Sequence, residues 1–292
     1  MLVGSSGWRR MTTASGSALA APPSDWASLW RELVGRAAAS DPERSAGDHW
    51  AGRAESFDAR VHAAPGRPDM LREFVLARVV PDDTVLDIGA GTGTWAFPLA
   101  RRAASVTALD SSDSMLEVLR RKVAVEEVRN IDAMAGSWPE VRVDQHDHVL
   151  AIHSVYGTPD LPRFVDAMTA TARRACYLVV TCPLRDSVTT RAALELWGTP
   201  WGRPDFVVAY NVMLEMGLMP SVMMDRGSAG PIRTVGVAEA LSKVKRLLGL
   251  GGTDSHDCYL LELLSRTLEP DGDGYRWPPQ ARAALVYWSG GR

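Results

Sequence analysis

The sequence predicts a doubly wound, mostly parallel α/β sheet with helices on both faces. Three observations predict it. Short apolar runs alternate with helical patterns from Thr84 to Pro183. The runs are continuously apolar, as strands buried on both faces are. The first of them, Thr84-Val85-Leu86-Asp87-Ile88, enters a glycine-rich turn, Gly89-Ala90-Gly91-Thr92-Gly93. A chain of 292 residues, 46% of them hydrophobic, can bury such a core without staples.

Each element has its own reason. Residues 1–24 are small, polar and patternless, and are expected to be a disordered tail. Arg9-Arg10 precede a weakly apolar stretch that Ser and Gly interrupt and Pro22-Pro23 end, so no secretory signal is expected. Ser24-Asp25 can cap a helix over 26–38, with Trp26, Leu29, Trp30 and Leu33 at helical spacing. A second helix, 48–61, places Trp50, Ala54, Phe57 and Val61 on one face. A third, 68–79, has Pro68 in its first turn. After the strand 84–88, helix 94–103, strand 106–110 and helix 113–127 follow. Then come strands 131–135 and 148–152, helix 161–174 and strand 176–181. Beyond these, 205–217, 237–248 and 256–267 read as helices, and 221–224 and 283–288 as strands.

Composition excludes several classes. Thirty-two Lys and Arg stand against 35 Asp and Glu, a net charge of −3, so no basic excess exists to hold a nucleic-acid backbone. Three Cys cannot make a disulfide framework and fit a reducing cytoplasm. No apolar stretch reaches 18 residues, so no membrane partner is expected. The chain is expected to be cytoplasmic, a monomer or a homodimer.

The glycine-rich turn is the informative motif. A dinucleotide fingerprint needs a third Gly where Thr94 stands, and a phosphate-binding P-loop needs a Lys that is absent. Asp87 lies two positions before Gly89, and Asp110 ends the next strand, followed by Ser111-Ser112-Asp113-Ser114-Met115. An acidic residue, one residue, then G-x-G-x-G, with acidic-x-Ser-x-x-Met at the next strand end, resembles the class I methyltransferases that use S-adenosylmethionine. The resemblance covers about residues 48–183. It implies a Rossmann-like methyltransferase fold, with a helical cap at 25–80, a cofactor-binding core at 81–183, and at 184–292 the rest of the sheet with a substrate-binding insertion. It also implies S-adenosylmethionine as cofactor. Asp87 would help position the ammonium, and Gly89, Gly91 and Gly93 would leave room for the ligand. Asp110, with Ser111, would hold the ribose, and Met115 would pack on the adenine. The family's acidic residue after the third strand is missing. Ser137 or a backbone carbonyl is expected to replace it, and Trp138 either flanks the adenine or closes the sheet edge as a buried ring.

The substrate side rests on position. Ligands of open α/β sheets lie beyond the carboxyl ends of the strands, and His153-Ser154-Val155-Tyr156 follow the fourth strand. His153 is therefore the candidate base, with Tyr156 as its orienter, because an imidazole titrates near working pH. The alternative is that His153 only bonds a backbone group or the cofactor. His146 and His148 share a strand face beside Asp144 and Asp147, but without further ligands they are read as a solvated strand entry, and no metal is expected. Trp197, Trp201, Phe206, Tyr210 and Met213 form either an apolar pocket wall or a second small core. The expected activity is methyl transfer to a small molecule, in bacterial specialised metabolism. Cyclisation of an alkylated substrate and non-catalytic sensing of the cofactor are the other readings.

Overall fold

A computed structural model describes residues 25–40, 47–62, 69–199, 203–225, 232–250 and 254–291. The tail 1–24, Pro68 and Trp201 lie outside them. In chain order the elements begin with α1 (Trp26–Ser40), α2 (Ala54–His62), α3 (Met70–Leu76), β1 (Thr84–Ile88), α4 (Ala96–Ala100), β2 (Ser105–Asp110) and α5 (Asp113–Val125). Next come β3 (Ile131–Ala135), β4 (His146–Ile152), a 3-10 turn (Val155–Gly157), α6 (Leu161–Thr171), β5 (Ala172–Pro183), α7 (Val188–Trp197) and α8 (Phe206–Glu215). The chain closes with β6 (Ser221–Met224), β7 (Arg233–Thr234), α9 (Val237–Leu248), α10 (Asp257–Thr267), β8 (Glu269–Asp271), β9 (Gly274–Arg276) and β10 (Ala281–Ser289).

The main sheet has seven strands in the order β3-β2-β1-β4-β5-β10-β6. The first five in chain order pair in parallel, while β10 lies antiparallel to both β5 and β6. The chain winds outward from β1 to β3 and then returns to β4 beside β1. That reversal opens a crevice at the carboxyl ends of β1 and β4, where ligands of such sheets bind.

Alternate residues of β1 feed opposite faces. Leu86 and Ile88 join Trp30 and Leu33 of α1, Phe164 and Met168 of α6, and Val212 and Met213 of α8. Val85 joins Val75 of α3, Leu99 of α4, and Leu116 and Leu119 of α5 on the other face. Each such fully buried side chain contributes about 1.5–3 kcal/mol. Burial on both sides is why β1 reads as an unbroken apolar run.

The three N-terminal helices do not form one layer. α1 packs on the face of α6 and α8, α3 packs on the other, and α2 lies on α5, where Ala54 meets Met115 and Val118. Two features of the C-terminal part differ from expectation. Helix α7 was not anticipated, nor was the small sheet β7-β9-β8. Phe206, Tyr210 and Met213 sit on α8 and pack on the main core, with Met213 fully buried there, so they form neither a pocket wall nor a second small core. Asp205 starts that helix by accepting the Val207 and Val208 N–H groups at 2.8 and 3.1 Å. Trp197 ends α7 against the insertion's own core of Val188, Ala192, Val244, Leu260 and Trp277, with the Arg36 guanidinium 5.1 Å from its ring centre.

Candidate active site

The glycine turn has the shape its residues require. Gly89, Gly91 and Gly93 take φ values of 72°, 56° and 88°. A side chain at Gly89 would put its Cβ 2.2 Å from Ser154 Cβ, so glycine lets the ends of β1 and β4 close together. Ser154 Oγ then donates to the Ile88 carbonyl at 2.7 Å. Asp110 spans the turn from the neighbouring strand: Oδ2 accepts the Gly91 N–H at 2.8 Å and Oδ1 accepts the Ser112 N–H at 2.9 Å.

Asp87 lies beneath this turn, 2% exposed, and its Oδ2 finds no hydrogen-bond partner among the described residues. Burial, and then the Asp110 charge, push its pKa up to about 7. Burial also raises Asp110, against the Ser112 and Gly91 N–H groups that favour its ionised form. Two crowded carboxyls with an unmade hydrogen bond are what a cationic ligand relieves. The residues therefore fit a cofactor carrying an ammonium and a sulfonium.

A cavity of about 390 Å³ opens across the switch point. Gly89, Asp110, Ser111, Ser137, Trp138 and Ser154 are in its wall. The Trp138 indole N–H is directed at the Phe164 carbonyl, 3.3 Å away, with the ring edge-on to Phe164. Asp87, Gly91 and Gly93 lie outside the wall, as support for it. Met115 is also outside it. Its side chain is buried with Ala54 and Val118, and Trp50 and Phe57 pack against that cluster. The wall includes two carboxylates that sequence reading missed, Glu140 and Asp160. Glu140 pairs with Arg163 at 2.8 Å, and Asp160 caps α6 through the Arg163 N–H. Glu140 stands two to four positions past Gly136-Ser137-Trp138, outside the place where the family pattern puts its acid.

A second cavity, of about 670 Å³, adjoins the first, and Gly157 lines both. Tyr156 and Thr181 stand in its wall. The Tyr156 hydroxyl accepts the Thr181 N–H at 2.8 Å, lies 2.8 Å from Thr181 Oγ1 and 2.9 Å from His153 Nδ1. His153 itself lines neither cavity. It reaches solvent behind Tyr156 with φ 54°, a left-handed backbone that is costly for a residue with a side chain. Burial lowers its pKa, opposed by the Asp69 charge. Burial likewise raises Tyr156, which keeps its proton.

The other histidine pair is held by protein groups. His148 Nε2 lies 2.9 Å from Asp83 Oδ2, and His146 bonds Thr107 Oγ1 and the Asp144 carbonyl. Both are buried, so the pair is a core feature, not a solvated strand entry.

Known proteins share this architecture. Residues 85–175 match a methyltransferase domain family. An uncharacterized protein of Haemophilus influenzae is 28% identical over 196 residues, covering 63% of this chain and 69% of that protein. The magnesium-protoporphyrin O-methyltransferase of Rhodobacter capsulatus is 30% identical over 118 residues, 38% of this chain; the chain spans about half of that relative, 52%. The crystal structure of magnesium protoporphyrin IX methyltransferase from Synechocystis PCC 6803, with S-adenosylhomocysteine bound, superposes with a TM-score of 0.51 at 12% identity, over 87% of this chain and 100% of that one. The chain carries a methyltransferase domain of the class I type. It is an S-adenosylmethionine-dependent enzyme, with residues 85–175 as its methyltransferase domain.

Proposed function

We propose that the enzyme methylates a small molecule, with Tyr156 meeting the acceptor and His153 receiving the proton. The observation that carries this reading is the second cavity, which abuts the cofactor cavity at Gly157 and has the Tyr156 hydroxyl in its wall. Its volume is that of a small-molecule pocket. S-adenosylmethionine, when bound, supplies an electrophilic methyl carbon.

The chain's own residues hold and deprotonate. Asp87 and Asp110 provide negative charge for the ammonium and acceptors for the ribose, with Ser111 beside them. Gly89, Gly91 and Gly93 shape the turn, and Ser137 and Trp138 flank the adenine. Glu140 or Asp160 stands in for the missing acid after β3. The Thr181 N–H fixes the Tyr156 oxygen. That oxygen takes the acceptor's proton as Tyr156 passes its own to His153 Nδ1, which the lowered pKa leaves neutral. Solvent at His153 then carries the proton away. Holding acceptor and cofactor in adjoining cavities supplies most of the acceleration. The setting is cytoplasmic biosynthesis.

The test offers methyl-labelled S-adenosylmethionine with separated small-molecule, RNA and protein fractions. Label is expected in the small-molecule fraction only, and Tyr156→Phe should cut the rate by about 10² or more. Label in RNA or protein overturns the reading. No transfer at all, with S-adenosylhomocysteine still bound, makes the chain a sensor.

A further inference from the structure

The second cavity has a traceable origin. The buried stripe of α1 runs through Trp30, Leu33 and Val34 and continues at Ala37. Trp30 and Leu33 are fully buried in the main core. At Ala37 and Ala38 the stripe shrinks to methyl groups, and the space they leave is the cavity. Leu247 and Leu248 of the insertion face it from the other side. These parts of the wall are aliphatic.

Several polar groups of the wall are held by protein partners. Thr181 holds Tyr156, and the Thr190 hydroxyl accepts from Ser187 at 2.9 Å. Asp205 Oδ1 accepts two N–H groups at the N-terminus of α8, where the positive end of the helix meets its charge. Arg203 stands in the same wall, close enough for its positive charge to favour the ionised form of Tyr156.

We infer that this cavity takes an apolar molecule bearing one acidic oxygen group, a phenol or a carboxylic acid, with the oxygen toward Tyr156 and Arg203. The inference rests on the small-molecule reading above and names its acceptor class. An amine of the same shape is an ammonium at neutral pH. It would leave water for a largely apolar wall in which Arg203 repels it and Asp205 Oδ1 already accepts two N–H groups. A phenol loses its proton through Tyr156 to His153, and a carboxylic acid enters already ionised. In both cases a new oxygen–methyl bond replaces the sulfur–methyl bond, and the sulfur keeps the electron pair.

The test is calorimetry with S-adenosylhomocysteine present, using 2-naphthol, 2-naphthoic acid and 2-naphthylmethylamine as probes at about pH 7.5. The naphthol or the naphthoate should bind about tenfold or more tightly than the amine. Ala37→Trp, which fills the space, should weaken that binding about tenfold and leave S-adenosylhomocysteine affinity within about twofold. Arg203→Gln should weaken the naphthoate about tenfold and serves as the deciding variant if Ala37→Trp melts early. Equal or tighter binding of the amine overturns the inference. So does binding that survives Ala37→Trp, an Arg203→Gln variant with unchanged naphthoate affinity, or no probe binding at all. Those failures leave small-molecule turnover standing. Absence of that turnover while the probes bind as stated sinks only the functional reading.

Discussion

The Asp48 carboxylate accepts the Ser112 hydroxyl at 2.7 Å, across 64 positions of sequence. Its other oxygen accepts the Ser114 N–H at 3.0 Å. Ser112 in turn caps α5 by accepting the Met115 N–H at 3.1 Å, and its own N–H binds Asp110. The N-terminal segment is thus tied to the turn that aims Asp110 at the cofactor cavity. Lys122 ties it again, donating to Asp58 at 2.7 Å and to the Thr92 carbonyl at 2.9 Å.

Asp48→Ala should therefore lower stability by about 1 kcal/mol, a helix-cap loss discounted for an exposed carboxylate. It should also weaken S-adenosylhomocysteine by a few-fold, because Asp110 loses its fixed neighbour. Burial disfavours the Asp48 charge, but the Ser112 and Ser114 bonds outweigh it and hold the pKa at about 2. A depressed carboxylate stabilises above its unfolded pKa and loses that contribution as pH falls through the folded value. Acid melts of the wild type should show the loss between about pH 4 and 2, and melts of Asp48→Ala should lack that component.

Asp87 has the opposite sign. Its pKa is raised to about 7, so the native state keeps a proton that the unfolded chain gives up near 4. Stability of the unliganded protein should fall as pH rises between those values, and Asp87→Asn should remove that slope. A ligand ammonium favours the ionised carboxylate. S-adenosylhomocysteine affinity should rise with pH through about 7 in the wild type and stay flat in Asp87→Asn. A flat wild-type profile would remove Asp87 from the cofactor's surroundings.

These contacts mark what the sequence could and could not disclose. β1, its glycine turn and Asp110 are legible because a strand, a turn and the next strand end are written within a few dozen residues, each with its own local signal. Asp48 and Thr181 are not, because their roles arise only when distant segments meet. No spacing rule links Asp48 to Ser112 or Thr181 to Tyr156. The strands β7, β8 and β9 are two or three residues long, too short for any alternation to show. Phe206, Tyr210 and Met213 misled for another reason: the helix they sit on is legible from 205 onward, but nothing in its spacing says that its apolar face joins the main core.

Gly89→Ala tests the closeness of β1 and β4. The added methyl would stand 2.2 Å from Ser154 Cβ on a backbone with φ 72°. Left-handed strain and overpacking together should cost about 3 kcal/mol in a denaturant melt. Ser154→Gly in the same chain should recover the steric part and leave the strain, so the two changes should be non-additive. Additive losses would show that the strand ends are further apart than described.

The last prediction separates His153 from Tyr156. His153→Asn is the appropriate variant because asparagine tolerates the left-handed backbone at φ 54°. The fold and S-adenosylhomocysteine affinity should persist while kcat falls by about 10²–10⁴. The imidazole must be neutral to accept a proton, and burial lowers its pKa, so wild-type kcat/KM should fall on the acid side, below the ordinary imidazole value. That limb should vanish in His153→Asn. It should vanish in Tyr156→Phe as well, since His153 meets the cavity only through the Tyr156 hydroxyl. The double variant should then be no slower than either single one, as for groups that act as a unit. Thr181→Val keeps the N–H that fixes Tyr156 and loses only the hydroxyl, so its effect should stay under about tenfold. If Tyr156→Phe is slow but keeps the acid limb, His153 reaches the substrate directly and the order of the two residues is reversed.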